Sequence, residues 1–199
     1  MVPETHAIVV TRVLVLWVCA IALACAARAD AQQFTSFAAN DVEFLNLMGN
    51  LEGPRGFGTI SDFAPVLPDR PLTEMTLAEV LAYQREIRAM GTISSAVGRY
   101  QFIYLTLLGL VETHGISDGL IFDGEVQTYL ARFLMHDCGF YDPATSLLRL
   151  GNCLASVWAA LPMVSGPSRG LSVYASDGVN RALIAPDAVL EVLARRFAW

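Results

Sequence analysis

Lysine is missing altogether from this 199-residue chain, so its 13 basic side chains are all arginines. They are scattered along the sequence and, against 19 acidic residues, leave a formal charge of −6. An acidic chain without a basic stripe offers no electrostatic footprint for nucleic acid or for an anionic membrane surface. Histidine is nearly as scarce. His6, His114 and His136 stand alone, with no cysteine at ligand spacing, which argues against a zinc site. No metal and no other cofactor is expected. Internal repeats and low-complexity linkers are also missing, so no domain boundary is drawn beyond the N-terminal segment. The most apolar run, Val13 to Ala27, is too short for a comfortable membrane span.

That run has another reading. Arg12 closes a short polar start, the apolar stretch follows, and Ala29-Asp30-Ala31 supplies a small-x-small cleavage site before Gln32. This is the layout of a secretory signal peptide. Residues 1–31 are therefore expected to be removed, leaving a single domain over 32–199 that is periplasmic or secreted. An uncleaved anchor, or lipidation at Cys25, fits the pattern less well. Of the four cysteines, Cys19 and Cys25 fall in the signal, and Cys138 with Cys153 remain as an even pair. In an oxidising compartment the default is one disulfide between them.

The expected fold class is α+β, predominantly α-helical, with six or seven helices. Asn40 is placed to cap a helix over residues 41–51, in which Val42, Phe44, Leu45, Met48 and Leu51 form an apolar stripe. Residues 53–72 are rich in proline and glycine and read as a loop with room for a short hairpin. Thr76-Leu77-Ala78-Glu79 is a capping box opening a helix to about Met90, with Gly91 as its stop. Phe102 to His114 is a further helical stretch closed by Gly115. Asp123 can cap a helix over residues 124–137, with Val126, Tyr129, Leu130, Phe133 and Leu134 inward. Two apolar segments, 145–150 and 154–161, come next. A last helix runs from Pro186, a favoured first-turn residue, to Phe197.

Glu52 is the candidate catalytic residue. It ends the first helix and is followed at once by the loop Gly53-Pro54-Arg55-Gly56-Phe57-Gly58. A carboxylic acid can protonate a glycosidic oxygen near neutral pH only if its surroundings raise its pKa. An apolar stripe, a covering loop and the negative end of a helix dipole all act in that direction. A solvated glutamate could occupy the same position, so Glu52 alone does not define a site. The second polar signature is Gly98-Arg99-Tyr100-Gln101. It combines a glycine that permits close approach, a planar guanidinium, a flat ring with a hydroxyl, and an amide that donates and accepts. Sugars are bound by such mixtures, although a helix start with Tyr100 in the core would read the same way.

Leu51-Glu52-Gly53, Gly98-Arg99-Tyr100-Gln101 and Val157-Trp158-Ala159-Ala160-Leu161-Pro162 resemble, in that order, the motifs of the phage lambda endolysin group, lysozyme-like muramidases of glycoside hydrolase family 104. The segments Glu52 to Gly56, Leu72 to Thr76 and Asp177 to Asn180 resemble exported bacterial relatives more closely. The likeness covers roughly residues 40–195. It implies a lysozyme-like domain with a loop or small β element after the catalytic helix. It also implies that Glu52 is the essential acid and that Gly98, Arg99, Tyr100 and Gln101 line the sugar cleft. Tyr174 and Asp177 lie in a loop that could border the cleft. Trp158, set among Val157, Ala159, Ala160 and Leu161, reads as core. The loop after Glu52 departs from the lambda version, so no sugar contacts are carried over there.

Enzymes like lambda endolysin are lytic transglycosylases, which need one carboxyl group. Conventional glycosidases pair two carboxylates at a defined separation. Asp62, Asp69, Asp118 and Asp123 read as turn or cap residues, and nothing in their spacing nominates a partner for Glu52. The expected function is cleavage of peptidoglycan glycan strands by a monomer with an anhydro-sugar product. Alternatives are a hydrolytic muramidase and a non-catalytic wall-binding or assembly module. An envelope-spanning machine is a further candidate partner.

Overall fold

The computed structural model describes residues 40–197. The expected signal segment, with its cleavage site and Cys25, lies outside the described residues. The chain is predominantly helical, with six α-helices in the described region: α1 (Asp41–Glu52), α2 (Leu77–Ala89), α3 (Tyr104–His114), α4 (Gly124–Asp137), α5 (Leu147–Val157) and α6 (Pro186–Ala194). Among the described residues, β pairing is confined to isolated bridges. No helix there is long and apolar enough to cross a membrane.

Local signals set most helix ends. The Thr76 hydroxyl accepts from the Glu79 N–H and the Glu79 carboxylate accepts from the Thr76 N–H, so the capping box at α2 is complete. Asp123 caps α4 through the Val126 N–H at 2.9 Å. Gly115 closes α3 in the left-handed region, with φ of 61°, a conformation that residues with a Cβ rarely adopt. Asn40 stands at the N-cap position of α1 without capping it. Its amide instead donates to the Arg195 carbonyl at 2.8 Å, tying the start of α1 to the end of the chain.

Three other expectations are corrected. Val42 is 54% exposed and faces away from the core, whereas Phe44, Leu45 and Met48 are buried. Phe102 does not begin α3. It exchanges backbone hydrogen bonds with Val97, at 3.1 and 2.9 Å, and α3 starts at Tyr104. The apolar segments at 145–150 and 154–161 join over residues 147–157 in the single helix α5, which continues through Gly151-Asn152-Cys153 and ends before Trp158. A Cβ at Gly151 would lie 2.6 Å from Val164, so close packing there favours glycine. Asn152 is half-buried and its Oδ1 accepts from the Val164 and Ser165 N–H groups.

The core joins these elements through aromatic contacts. Phe44 of α1 packs on Phe140 and Trp158, with centroids 5.5 and 5.9 Å away. Tyr100, Phe102 and Phe122 form a second row. Helix α5 packs against α4 and α6, α1 against α6, and α2 against α3. Asp41 is buried at the first turn of α1, where it accepts from Arg132 Nε at 2.7 Å and from the Tyr141 hydroxyl at 3.1 Å. A buried carboxylate is tolerable when paired and hydrogen-bonded in this way. A disulfide joins Cys138, at the end of α4, to Cys153 in α5, with a Cα–Cα distance of 5.5 Å. Closing this loop is worth about 3 kcal/mol in the chain-entropy account.

Candidate active site around Glu52

Glu52 is the last residue of α1, where the chain leaves the helix into the glycine-rich loop. It is half-buried, and its Oε1 accepts from the Ala160 N–H at 3.0 Å. Burial disfavours the charged form and raises the pKa above the ordinary glutamate range. The Ala160 hydrogen bond pulls the other way with a smaller effect. The carboxyl group borders a cavity of about 260 Å³ lined by Leu51, Glu52, Ala159, Ala160, Val179, Asn180, Arg181 and Leu183. Glu52 is the one acidic residue in that lining and Arg181 the one basic residue.

Ala160 organises this wall. Its N–H serves Glu52 and its carbonyl accepts from the Leu183 N–H at 2.9 Å. One residue therefore sets the spacing between the carboxylate and the 178–183 segment. That segment is also held from its other end. Asp177 Oδ1 accepts from the Val179 and Asn180 N–H groups, each at 2.8 Å, and Oδ2 from the Asn180 amide at 2.6 Å. These donors, led by Asn180, hold the Asp177 carboxyl below its ordinary range. Asp177 does not line the cavity; it shapes the rim residues that do. Tyr174 is likewise outside the lining and donates its hydroxyl to the Ser156 carbonyl.

The Gly98–Gln101 segment has a different place from the one its composition suggests. It is the turn of a small hairpin closed by Val97 and Phe102, and none of its four residues lines the cavity. Tyr100 is 3% exposed, with its hydroxyl 3.2 Å from Thr128 Oγ1 and its carbonyl accepting from Trp158 Nε1 at 3.1 Å. The ring packs edge-on against Phe57 and Phe102. Gly98 is buried with φ of 80°, and a Cβ there would meet the Gln127 side chain at 2.4 Å. The close approach it permits is to the protein's own interior. Gln101 adopts a positive φ of 49°, unusual for a residue with a Cβ, and its amide folds back to the Gly98 carbonyl at 2.7 Å. Arg99 lies along α1, where a Cβ on Gly49 would fall 2.1 Å from its Nε.

Two glutamines absent from the sequence reading hold this hairpin. Gln127 of α4 is fully buried. Its Oε1 accepts from the Arg99 N–H at 2.8 Å, and its Nε2 donates to the Phe57 and Phe122 carbonyls, each at 2.9 Å. Gln84 of α2, also fully buried, donates to the Ser95 and Phe102 carbonyls at 2.7 and 2.8 Å. Gln127 thus joins the loop after Glu52, the hairpin turn and the entry to α4. The sequence signal for both was a lone amide on an otherwise apolar helical face.

The loop itself pairs outward from its own segment. Gly98 N–H donates to Thr59 at 2.7 Å, and Ser61 N–H to Ala96 at 3.0 Å. The strand-like pairing expected within residues 53–72 is therefore made with residues 96–98. Among the described residues, no group of three or more His, Cys, Asp or Glu could hold a metal ion. Comparison with protein-family models, curated proteins and solved structures finds no match.

Proposed function

We propose that the protein is an exported lytic transglycosylase with a lysozyme-like domain. It would cut the β-1,4 bond between N-acetylmuramic acid and N-acetylglucosamine in peptidoglycan. The observation that carries this reading is Glu52: a single half-buried carboxyl group, raised in pKa, on a residue lining a cavity whose lining contains no second acid. The resemblance of the ordered motifs to those of lambda-type muramidases points the same way.

In this mechanism protonated Glu52 donates to the oxygen of the leaving N-acetylglucosamine as the bond to muramic C1 breaks. Positive charge develops at C1. The Glu52 carboxylate then takes the proton of the muramic C6 hydroxyl while that oxygen bonds to C1. The product is a 1,6-anhydro ring, Glu52 ends protonated, and no water is consumed. The Ala160 N–H suits the second half of the cycle, because it stabilises the carboxylate without outweighing burial. Only the acid form can begin the reaction, so the rate is expected to fall as pH rises through the elevated Glu52 pKa.

Mass spectrometry of products from purified sacculi provides the test. Native protein should release muropeptides ending in anhydro-muramic acid, one water lighter than reducing-end products. Glu52→Gln should lower the yield by about 10²–10⁴-fold, the usual contribution of a general acid–base. Reducing-end products would instead identify a hydrolase. Equal turnover by the two proteins would remove Glu52 from the chemistry.

A further inference from the structure

Arg181 is the one cationic side chain on the cavity that Glu52 borders. Unlike Arg55, Arg70, Arg132, Arg169 and Arg195, it makes no ion pair within the described residues. Nor does it act on Glu52. A guanidinium in contact with that carboxylate would favour its charged form, yet the influences on Glu52 are burial and the Ala160 N–H. Arg181 is thus an exposed residue of the cavity lining with no ion pair to Glu52 among the described residues. Its backbone is fixed on both sides, by the Asp177 cap over Val179 and Asn180 and by the Leu183 bond to Ala160. Because Ala160 also carries Glu52, the guanidinium and the acid share one anchor. A planar donor fork on a backbone anchored beside a cavity is suited to bidentate capture of a carboxylate.

We infer that Arg181 is a specificity-determining residue that receives a carboxylate carried on the 3-O-lactyl arm of muramic acid. The inference rests on the transglycosylase reading. The two sugars of the strand differ in that arm: N-acetylglucosamine has none, and muramic acid bears either a free lactyl carboxylate or a peptide with its own carboxylates. Holding that group places the muramic ring on the side of the cut where its C6 hydroxyl can close on C1. Arg181 thus sets which sugar occupies the reacting position, and Glu52 does the chemistry.

The test compares native protein with Arg181→Gln and Arg181→Lys on three substrates. These are peptide-bearing strands, strands stripped of peptide to expose the lactyl carboxylate, and strands whose carboxylates have been converted to neutral methylamides. Arg181→Gln is expected to raise KM about ten-fold on a carboxylate-bearing strand, equivalent to one charge-assisted hydrogen bond. The loss should fall in KM more than in kcat, and Arg181→Lys should recover part of it. The methylamide strands should not distinguish the three proteins. A deficit confined to peptide-bearing strands assigns the contact to a stem-peptide carboxylate. A deficit on stripped strands assigns it to the lactyl group. Equal KM on all substrates, or a deficit that persists on methylamide strands, overturns the inference while leaving the transglycosylase intact. If native protein cleaves no strand, the transglycosylase reading fails. Calorimetric binding to Glu52→Gln with and without Arg181→Gln then decides the guanidinium's role separately: matched affinities overturn it, and weaker binding by the double variant upholds it.

Discussion

The hairpin at residues 97–102 and the rim at residues 177–183 meet the Glu52 wall in opposite ways. The hairpin carries the side chains that most resemble a sugar-binding set, yet Gly98 and Tyr100 are buried and Gln84 and Gln127 grip its backbone. The rim, of which the sequence singles out only Asp177 to Asn180, is exposed and supplies Val179, Asn180, Arg181 and Leu183 to the cavity. The hairpin supports the helix that presents Glu52; the rim faces whatever enters. Residue chemistry alone does not distinguish a ligand-facing tyrosine from one that completes a core, because both need an apolar face and a hydrogen-bonded hydroxyl.

The sharpest way to break this contrast is Gln127→Leu. It leaves the Arg99 N–H and the Phe57 and Phe122 carbonyls without their buried partner, and should destabilise the protein by about 4 kcal/mol. Urea unfolding measures it; a loss near zero would mean that water replaces the amide and that the hairpin is not clamped. Gly53→Ala comes next. The added Cβ would lie 2.5–2.8 Å from the Arg99 backbone, which cannot swing aside as a side chain could. A cost of about 2 kcal/mol is expected from such overpacking, and unchanged stability would show that α1 and the hairpin slide freely.

Glu52→Gln should have a smaller effect on stability, and one that depends on pH. Burial raises the Glu52 pKa in the folded protein, so the native state holds this proton more tightly than the unfolded chain. Stability from this group is thus highest below the ordinary glutamate pKa and declines as pH rises through the raised value. The substituted protein should lack that decline and be the more stable of the two above it. Parallel melting profiles from pH 3 to 8, roughly spanning the carboxylate range, would contradict the assigned burial. Asp177→Ala should have the least effect on folding, with no measurable change in Tm because the group is fully exposed. Under the transglycosylase reading it should still raise KM for glycan strands, since Val179 and Asn180 lose the acceptor that positions them. A fall in Tm with unchanged KM would reverse the roles given to hairpin and rim.

Much of the helical framework was legible because its signals are local. Thr76 and Glu79 lie three residues apart, Asp123 caps its own next turn, and Gly115 supplies the left-handed stop. The misread places had local signals that tertiary contacts overrode. Phe102 was apolar enough for α3 but pairs with Val97, and Gly151-Asn152 looked like a break but remains helical under Val164. Pattern also placed Glu52 at a helix end. It did not reveal that Ala160, 108 residues away, supplies the hydrogen bond.

The sequence by itself determined a predominantly helical chain, a cysteine pair in position to bridge, and a carboxylate where the first helix gives way to a glycine-rich loop. Only the tertiary structure decided that Tyr100 points inward, that Gln84 and Gln127 are clamps, and that Arg181 shares a cavity with Glu52. The physical reason is distance along the chain. Periodicity and caps report interactions within a turn or two. Whether a polar side chain is buried and partnered depends on segments such as Phe57 and Gln127, 70 residues apart, meeting in space.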